Sequence, residues 1–71
     1  MKLKIFSVSQ DEFGLYYIDV RIDDSKVYTY IINSTYAYDL IIQHYRSDRY
    51  GQCLTLLNKW NVNWGFRMKK I

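Results

Sequence analysis

Hydrophobic and polar residues alternate along the first third of the chain. Within residues 15–22, large apolar side chains occupy every second position, and Asp19 and Arg21 lie between them. This period of two predicts a strand with one buried face. Residues 2–8 form a shorter run rich in apolar and β-branched residues, which predicts an opening strand.

Two polar segments separate the predicted strands. Residues 9–14 are polar and end in Gly14, which is typical of a loop or hairpin turn. The sequence Asp-Asp-Ser at residues 23–25 predicts a compact turn, because short polar side chains tolerate turn conformations. A third strand is predicted over residues 26–32, so that residues 15–32 form a β-hairpin.

The hydrophobic period changes from 2 to 3.6 after residue 33 and stays helical to Trp60. Ser34 is the predicted N-cap of this helical region, because its hydroxyl can accept a hydrogen bond from a free amide of the first turn. The polar residues 46–48 predict two short helices, with Ser47 or Asp48 capping the second. One long helix with a kink is the alternative. The apolar stripes comprise Ala37, Leu40, Ile41 and His44, and then Tyr50, Cys53, Leu54 and Leu57.

Alternation returns in the last eleven residues. It predicts a closing strand whose inward face carries Val62, Trp64, Phe66 and Met68. The predicted order of elements is therefore β-β-β-α-α-β, an α+β fold with the helices packed on one face of an antiparallel sheet. Repeats and linkers are absent from the sequence, which predicts a single domain over residues 1–71.

The run SKVYTYIINSTYAYDLII is followed by Ser47 and then by Tyr50 and Gly51. This pattern resembles that of the small KTSC-type domains, in which a Lys-x-Tyr-x-Tyr strand leads into a helix with paired aliphatic residues. The similarity covers residues 15–58. It implies a compact α+β module without an established chemistry.

Small size and residue content exclude several classes of site. A chain of 71 residues buries a small core and is usually stapled by disulfides, a metal or oligomerisation. Its single cysteine, Cys53, excludes an intrachain disulfide, and one histidine with one cysteine gives no cluster of metal ligands. The three isolated glycines form no phosphate-binding loop. We therefore expect no metal and no cofactor, and a homo-oligomer is one remaining means of stabilisation.

The sequence also bears on location and source. Its apolar runs are too short for a membrane span or a signal peptide, and an unpaired cysteine suits a reducing compartment. We therefore expect a cytoplasmic protein without membrane contact. Frequent Ile, Tyr, Asp, Lys and Asn have AT-rich codons, which predicts an AT-rich source such as a virus or a mobile element.

Catalysis by His44 and Cys53 is not expected from the sequence. A cysteine nucleophile needs a base within hydrogen-bonding reach and a third group that orients the base. Both residues lie on apolar stripes of predicted helices, and a lone thiol there usually acts as a small core residue. We predict a non-enzymatic protein with no catalytic residues.

Charge and aromatic content point to binding instead. The net charge is +3, residues 41–71 carry six bases against Asp48 alone, and aromatic residues make up 18% of the chain. Tyr, Trp and Arg dominate protein–protein hot spots, which predicts an interaction or inhibitory module for another protein with an acidic surface. The alternative is a nucleic-acid-binding module that uses the basic C-terminal half. In the simplest interpretation, the tyrosines fill the core and the lysines provide solubility. The candidate binding residues are Tyr28, Tyr30, Arg46, Arg49, Trp60, Arg67, Lys69 and Lys70.

Overall fold

The computed structural model describes residues 1–62, in which three strands are followed by two helices. The elements are β1 (Leu3–Gln10), β2 (Tyr16–Ile22), β3 (Val27–Ile32), α1 (Thr35–Arg46) and α2 (Tyr50–Trp60). The predicted α+β architecture is confirmed. The predicted closing strand lies outside the described residues from residue 63 onward.

The three strands form an antiparallel sheet in the order β1-β2-β3. Ile18 at the centre of β2 lies opposite Val8 of β1 and Tyr30 of β3. Both described helices contribute to a core on the face of the sheet that carries Ile18. We call the opposite face, which carries Asp19 and Arg21, the open face.

The core forms where the predicted alternation of β2 meets the apolar stripes of the helices. Ile18 and Val20 are fully buried, together with Ile32 from β3. The helices bury Ala37 and Ile41 from α1 and Cys53 and Leu57 from α2. At the rim of the core, the Tyr16 and Tyr38 rings stack with centroids 4.1 Å apart. The predicted helical stripes are thus confirmed at these four positions.

A β-bulge interrupts β1. Ile5 lies opposite Val20 and Ser7 lies opposite Asp19, so Phe6 is an extra residue with no partner on β2. A bulge of this kind re-aims the side chains that follow it. Leu3 and Ile5 pack on the core before the bulge, whereas Ser7 reaches Asp19 on the open face after it.

The helix termini confirm one predicted cap and correct another. The Ser34 hydroxyl accepts a hydrogen bond from the Ala37 amide at 3.2 Å, as predicted. Two helices are present, but the N-cap of α2 is Arg49, which makes no side-chain capping bond. The prediction of Ser47 or Asp48 as this cap is wrong, because Ser47 ends α1 and Asp48 adopts a left-handed conformation with φ of 60°.

The end of the described chain lies along the C-terminal end of β3. Asn61 forms an antiparallel bridge with Ile32, and the Val62 amide donates to the Ile31 carbonyl at 2.8 Å. The Asn61 side-chain oxygen accepts from the Ile31 amide at 3.0 Å. Asn61 is buried opposite the core residue Ile32, whereas Val62, which was predicted to point inward, is half-buried.

Candidate partner-binding surface

Two cations face each other across neighbouring strands on the open face. Lys4 of β1 lies directly opposite Arg21 of β2. The Phe6 ring lies beside both, with its centroid 5.1 Å from the Lys4 Nζ and 5.2 Å from the Arg21 Cζ. Phe6 is 47% exposed. We call Lys4, Phe6 and Arg21 the basic–aromatic patch.

The bulge explains how Phe6 comes to lie beside these two cations. An unpaired residue has no neighbour on β2, so its ring can lean over the Lys4–Arg21 pair. Like charges directly opposite each other destabilise a sheet, and the electron-rich face of an aromatic ring offsets part of that repulsion. The patch therefore presents two closely spaced positive charges and an apolar ring to solvent.

Asp19 fixes the strands beside the patch. Its two carboxylate oxygens accept hydrogen bonds from the Ser7 and Thr29 hydroxyls, each at 2.7 Å. These bonds join β1, β2 and β3 on the open face. The two hydroxyl donors hold the Asp19 carboxylate in place between the strands, and it remains an acceptor with its negative charge beside the patch.

A groove adjoins the patch at the outer edge of β1. It has a volume of about 500 Å³ and is floored in part by Leu3. The Tyr45 hydroxyl closes one side by accepting a hydrogen bond from the Ile5 amide at 3.2 Å. At the other side, the Lys2 amide donates to the Asp23 carboxylate at 2.8 Å. The lining residues beyond the patch are Lys2, Leu3, Asp23, Asp24, Tyr45 and Tyr50.

The aromatic residues predicted as binding residues face the core. Tyr28 and Tyr30 lie on the side of β3 that the helices cover, and Tyr30 is only 7% exposed. Trp60 is half-buried against the same core. Six of the eight tyrosines are in or against the core. These rings fill a small interior, and Tyr30 is too buried to offer its ring to a partner. The binding roles of Tyr28 and Trp60, which are half-buried, stay predictions.

The predicted basic residues lie elsewhere. Arg46 and Arg49 are exposed at the junction of the two helices, where the Arg49 Nε donates to the His44 Nδ1 at 2.8 Å. Arg67, Lys69 and Lys70 lie outside the described residues. Of the predicted binding residues within residues 1–62, none belongs to the basic–aromatic patch.

The sequence did contain one signal for the patch. Lys4 and Phe6 are two positions apart in a predicted strand, and Arg21 was predicted on the outward side of its strand. The missing information was the register between the strands, which sequence periodicity does not supply.

Neither of the two residues considered for catalysis is available for it. His44 already accepts a hydrogen bond from the Arg49 side chain. Cys53 is fully buried, and this burial raises the pKa of its thiol to about 11. The thiol is therefore protonated near neutral pH, and a protonated thiol is a poor nucleophile. Among residues 1–62, no three His, Cys, Asp or Glu side chains are grouped as a metal site requires.

Comparisons with known proteins do not assign this chain to a family. No family model matches the chain, and neither a curated protein nor a solved structure matches it significantly. The similarity of residues 15–58 to KTSC-type domains therefore stays a prediction. In the part of the chain that the structure describes, no helix has the length and apolar content needed to cross a membrane.

Proposed function

We propose that this protein is a non-catalytic binding module that recognises an acidic surface on another protein through the basic–aromatic patch. The observation that supports the proposal is the placement of Lys4 opposite Arg21 beside the exposed Phe6 ring. The repulsion between these cations is unfavourable in the isolated domain, and a carboxylate from a partner would relieve it. This relief of repulsion on binding is a physical reason for two cations to occupy these opposite positions.

Each of the three side chains would contribute differently to recognition. The planar guanidinium of Arg21 can pair with a carboxylate through two parallel hydrogen bonds, whereas Lys4 adds a mobile point charge. Phe6 provides apolar contact area at the centre of the patch, as aromatic anchors do in interfaces. The module would act as an inhibitor if the acidic surface that it covers is an active site or a binding site of its partner. We propose that this binding takes place in the cytoplasm.

Site-specific crosslinking tests which class of molecule the patch contacts. Phe6 is replaced by a photoreactive phenylalanine analogue in the full chain, and crosslinking is performed in the native cells. The control places the same analogue at Tyr36, which is 68% exposed on α1, away from the patch. We expect a protein adduct from position 6 that is sensitive to protease and resistant to nuclease, and no such adduct from position 36.

A charge-matched pair of variants makes this experiment specific. In one variant Lys4 and Arg21 are both changed to Gln, and in the control Lys26 and Lys59 are both changed to Gln. Both variants have the same net charge. The proposal requires that the first variant loses the adduct and the second keeps it. An adduct that survives the first variant, or the absence of any adduct, contradicts the proposal.

Nucleic-acid binding is the second candidate function, and the distribution of charge supports it. Residues 1–62 carry seven bases and seven acids, so the whole net charge of +3 comes from Arg67, Lys69 and Lys70. If these bases contact phosphates, affinity for a random oligonucleotide falls steeply between about 50 and 200 mM salt. Changing all three to Gln then removes this binding, whereas the Lys4 and Arg21 variant retains it. Absence of binding at the lower salt concentration contradicts this candidate.

A further inference from the structure

We infer that the groove beside the basic–aromatic patch receives an aromatic side chain of the partner, two residues along the partner chain from the carboxylate that the patch binds. The inference rests on the proposed function and names the kind of segment that the partner presents. Lys4, Phe6 and Arg21 line the groove as well as forming the patch, so the two features are one continuous surface. A carboxylate bound at the patch therefore brings the residues next to it over the groove.

The groove has an apolar floor and an aromatic wall. Leu3 at its floor is only 4% exposed. Tyr45 and Tyr50 also line it, and their ring centroids lie 6.0 Å apart with the planes tilted by 50°. Aromatic rings pack favourably at such distances in tilted or offset arrangements, so a third ring can pack against these two in the same way. The volume of about 500 Å³ is that of a small ligand site and leaves room for one aromatic side chain.

Hydrogen bonds hold both tyrosine rings of this wall in place. The Tyr45 hydroxyl accepts from the Ile5 amide at 3.2 Å, and the Tyr50 hydroxyl donates to the Asp48 carboxylate at 3.0 Å. Both tyrosines also pack against the core. A wall that is already ordered loses little conformational entropy when a ligand binds, and this favours binding.

Charge decides which ligand suits the groove. Lys4 and Arg21 lie opposite each other on neighbouring strands. Asp23 follows two residues after Arg21, where its carboxylate accepts from the Lys2 amide at 2.8 Å. Asp24, which is exposed, lines the same end of the groove. A carboxylate is therefore attracted at the patch and repelled at the far end, so the groove favours a segment with one acidic residue beside the ring over a segment with two.

The spacing within the partner segment follows from an extended backbone. Successive side chains of an extended chain point to opposite sides, so residues i and i+2 face the same surface. We therefore assign the aromatic residue to the second position from the acidic one. Either chain direction satisfies this spacing.

Titration of the full chain with short blocked peptides, followed by NMR chemical shifts, tests the inference. The probe is acetyl-Gly-Asp-Ser-Phe-Gly-amide or the peptide of reversed order, whichever binds more tightly. Two matched peptides replace its Asp by Asn or its Phe by Ala. We expect a dissociation constant in the millimolar range for the probe, with shifts at Leu3, Tyr45 and Tyr50. Each replacement should weaken binding by about tenfold.

A second acidic residue distinguishes this recognition from a general attraction between opposite charges. The peptide acetyl-Gly-Asp-Ser-Phe-Ser-Asp-Gly-amide carries a carboxylate on both sides of the ring. It should bind more weakly than the probe, because its second carboxylate approaches Asp23 and Asp24. Tighter binding of this doubly charged peptide would show that the groove does not select its ligand, and the inference would be wrong.

Variants of the full chain locate the ring in the groove. Tyr50→Ala removes part of the aromatic wall and should lose most of the preference for the Phe peptide over the Ala peptide. Tyr36→Ala, at an exposed position of α1, is the matched control and keeps this preference. The comparison of peptides on the unmodified chain remains decisive if Tyr50→Ala does not fold.

The outcomes separate this inference from the proposed function. If the crosslink from position 6 to a protein forms but the unmodified chain binds the Phe and Ala peptides equally, the inference is wrong and the proposed function stands. Octanoate, an anion with a flexible alkyl chain, should bind more weakly than the probe, and equal or tighter binding assigns the groove to a lipid-like anion. Shifts of the groove residues when the protein alone is concentrated assign it to a second copy. Either of these last two results overturns the inference.

Discussion

At the scale of single residues, Lys4 and Arg21 set the stability of the domain against the proposed binding. Lys4→Gln removes the like-charge contact, and we expect the free energy of unfolding to rise by about 0.5 kcal/mol. For a domain of this size, the melting temperature then rises by about 3 °C. Thermal unfolding followed by circular dichroism measures the shift, with Lys26→Gln in the β2–β3 turn as the control that leaves stability unchanged. A lower melting temperature for Lys4→Gln contradicts the assigned repulsion.

Because of Cys53, we expect the free energy of unfolding to fall at alkaline pH. Burial raises the thiol pKa from 9.0 to about 11 in the folded state. Between these values the unfolded chain loses the thiol proton more readily, so stability is fully present below pH 9 and is lost as pH rises toward 11. The loss amounts to roughly 2 kcal/mol.

Urea unfolding at about pH 8 and pH 10.5 tests this dependence. Cys53→Ala lowers stability at both values because it leaves a small cavity. Its loss of stability between the two pH values should be smaller than that of the unmodified chain. The remaining loss comes from tyrosines, including Tyr30, whose pKa burial also raises. Equal losses in both proteins would show that the thiol is not the titrating group.

The start of α1 shows what one side chain contributes to a whole element. Ser34→Ala leaves the Ala37 amide without its acceptor, and we expect a loss of about 1 kcal/mol. Ser34→Asp keeps an acceptor and adds a negative charge at the positive end of the helix, so it should retain most of the stability. Chemical denaturation of the three proteins gives the comparison. A loss in Ser34→Asp as large as in Ser34→Ala would mean that the cap is not the cause.

The start of α2 offers the opposite experiment. Arg49 is a poor N-cap, because it supplies no capping oxygen and places a cation at the positive end of the helix. Arg49→Ser supplies that oxygen, and we expect the free energy of unfolding to rise by about 0.5–1 kcal/mol. Arg49→Lys, which retains the charge and adds no acceptor, is the control. A decrease in Arg49→Ser would assign a larger structural role to the Arg49–His44 hydrogen bond.

Sequence patterns located most elements because each depends on local chemistry. The alternation in β2 predicted that Ile18 and Val20 are buried, and the Ser34 cap was recognisable from its position before a helical period. The bulge at Phe6 carries no glycine or other local mark, so it was not predictable even though Lys4 and Phe6 are two positions apart in a predicted strand. Likewise, the pairing of Lys4 with Arg21 depends on register, a property of two strands together.

At the scale of the whole molecule, stability depends on a few central side chains. The described core has nine buried hydrophobic residues and Cys53 forms no disulfide, so little else compensates for a lost contact. Leu57→Ala should cost about 2–5 kcal/mol, a large part of the total stability of a small domain. The neighbouring Leu56 is half-buried, and Leu56→Ala is expected to cost less than half as much. A near-native melting temperature for Leu57→Ala would contradict the central role of Leu57 in the core.

The bulge in β1 also has an evolutionary consequence. One extra residue separates Ile5 from Ser7, and no core side chain depends on it for its partner. Insertion or loss of a single codon at this point would therefore create or abolish the patch while the hydrophobic core stays intact. A relative without that codon would be one residue out of phase with this chain, and an ungapped alignment would compare its buried positions with exposed ones.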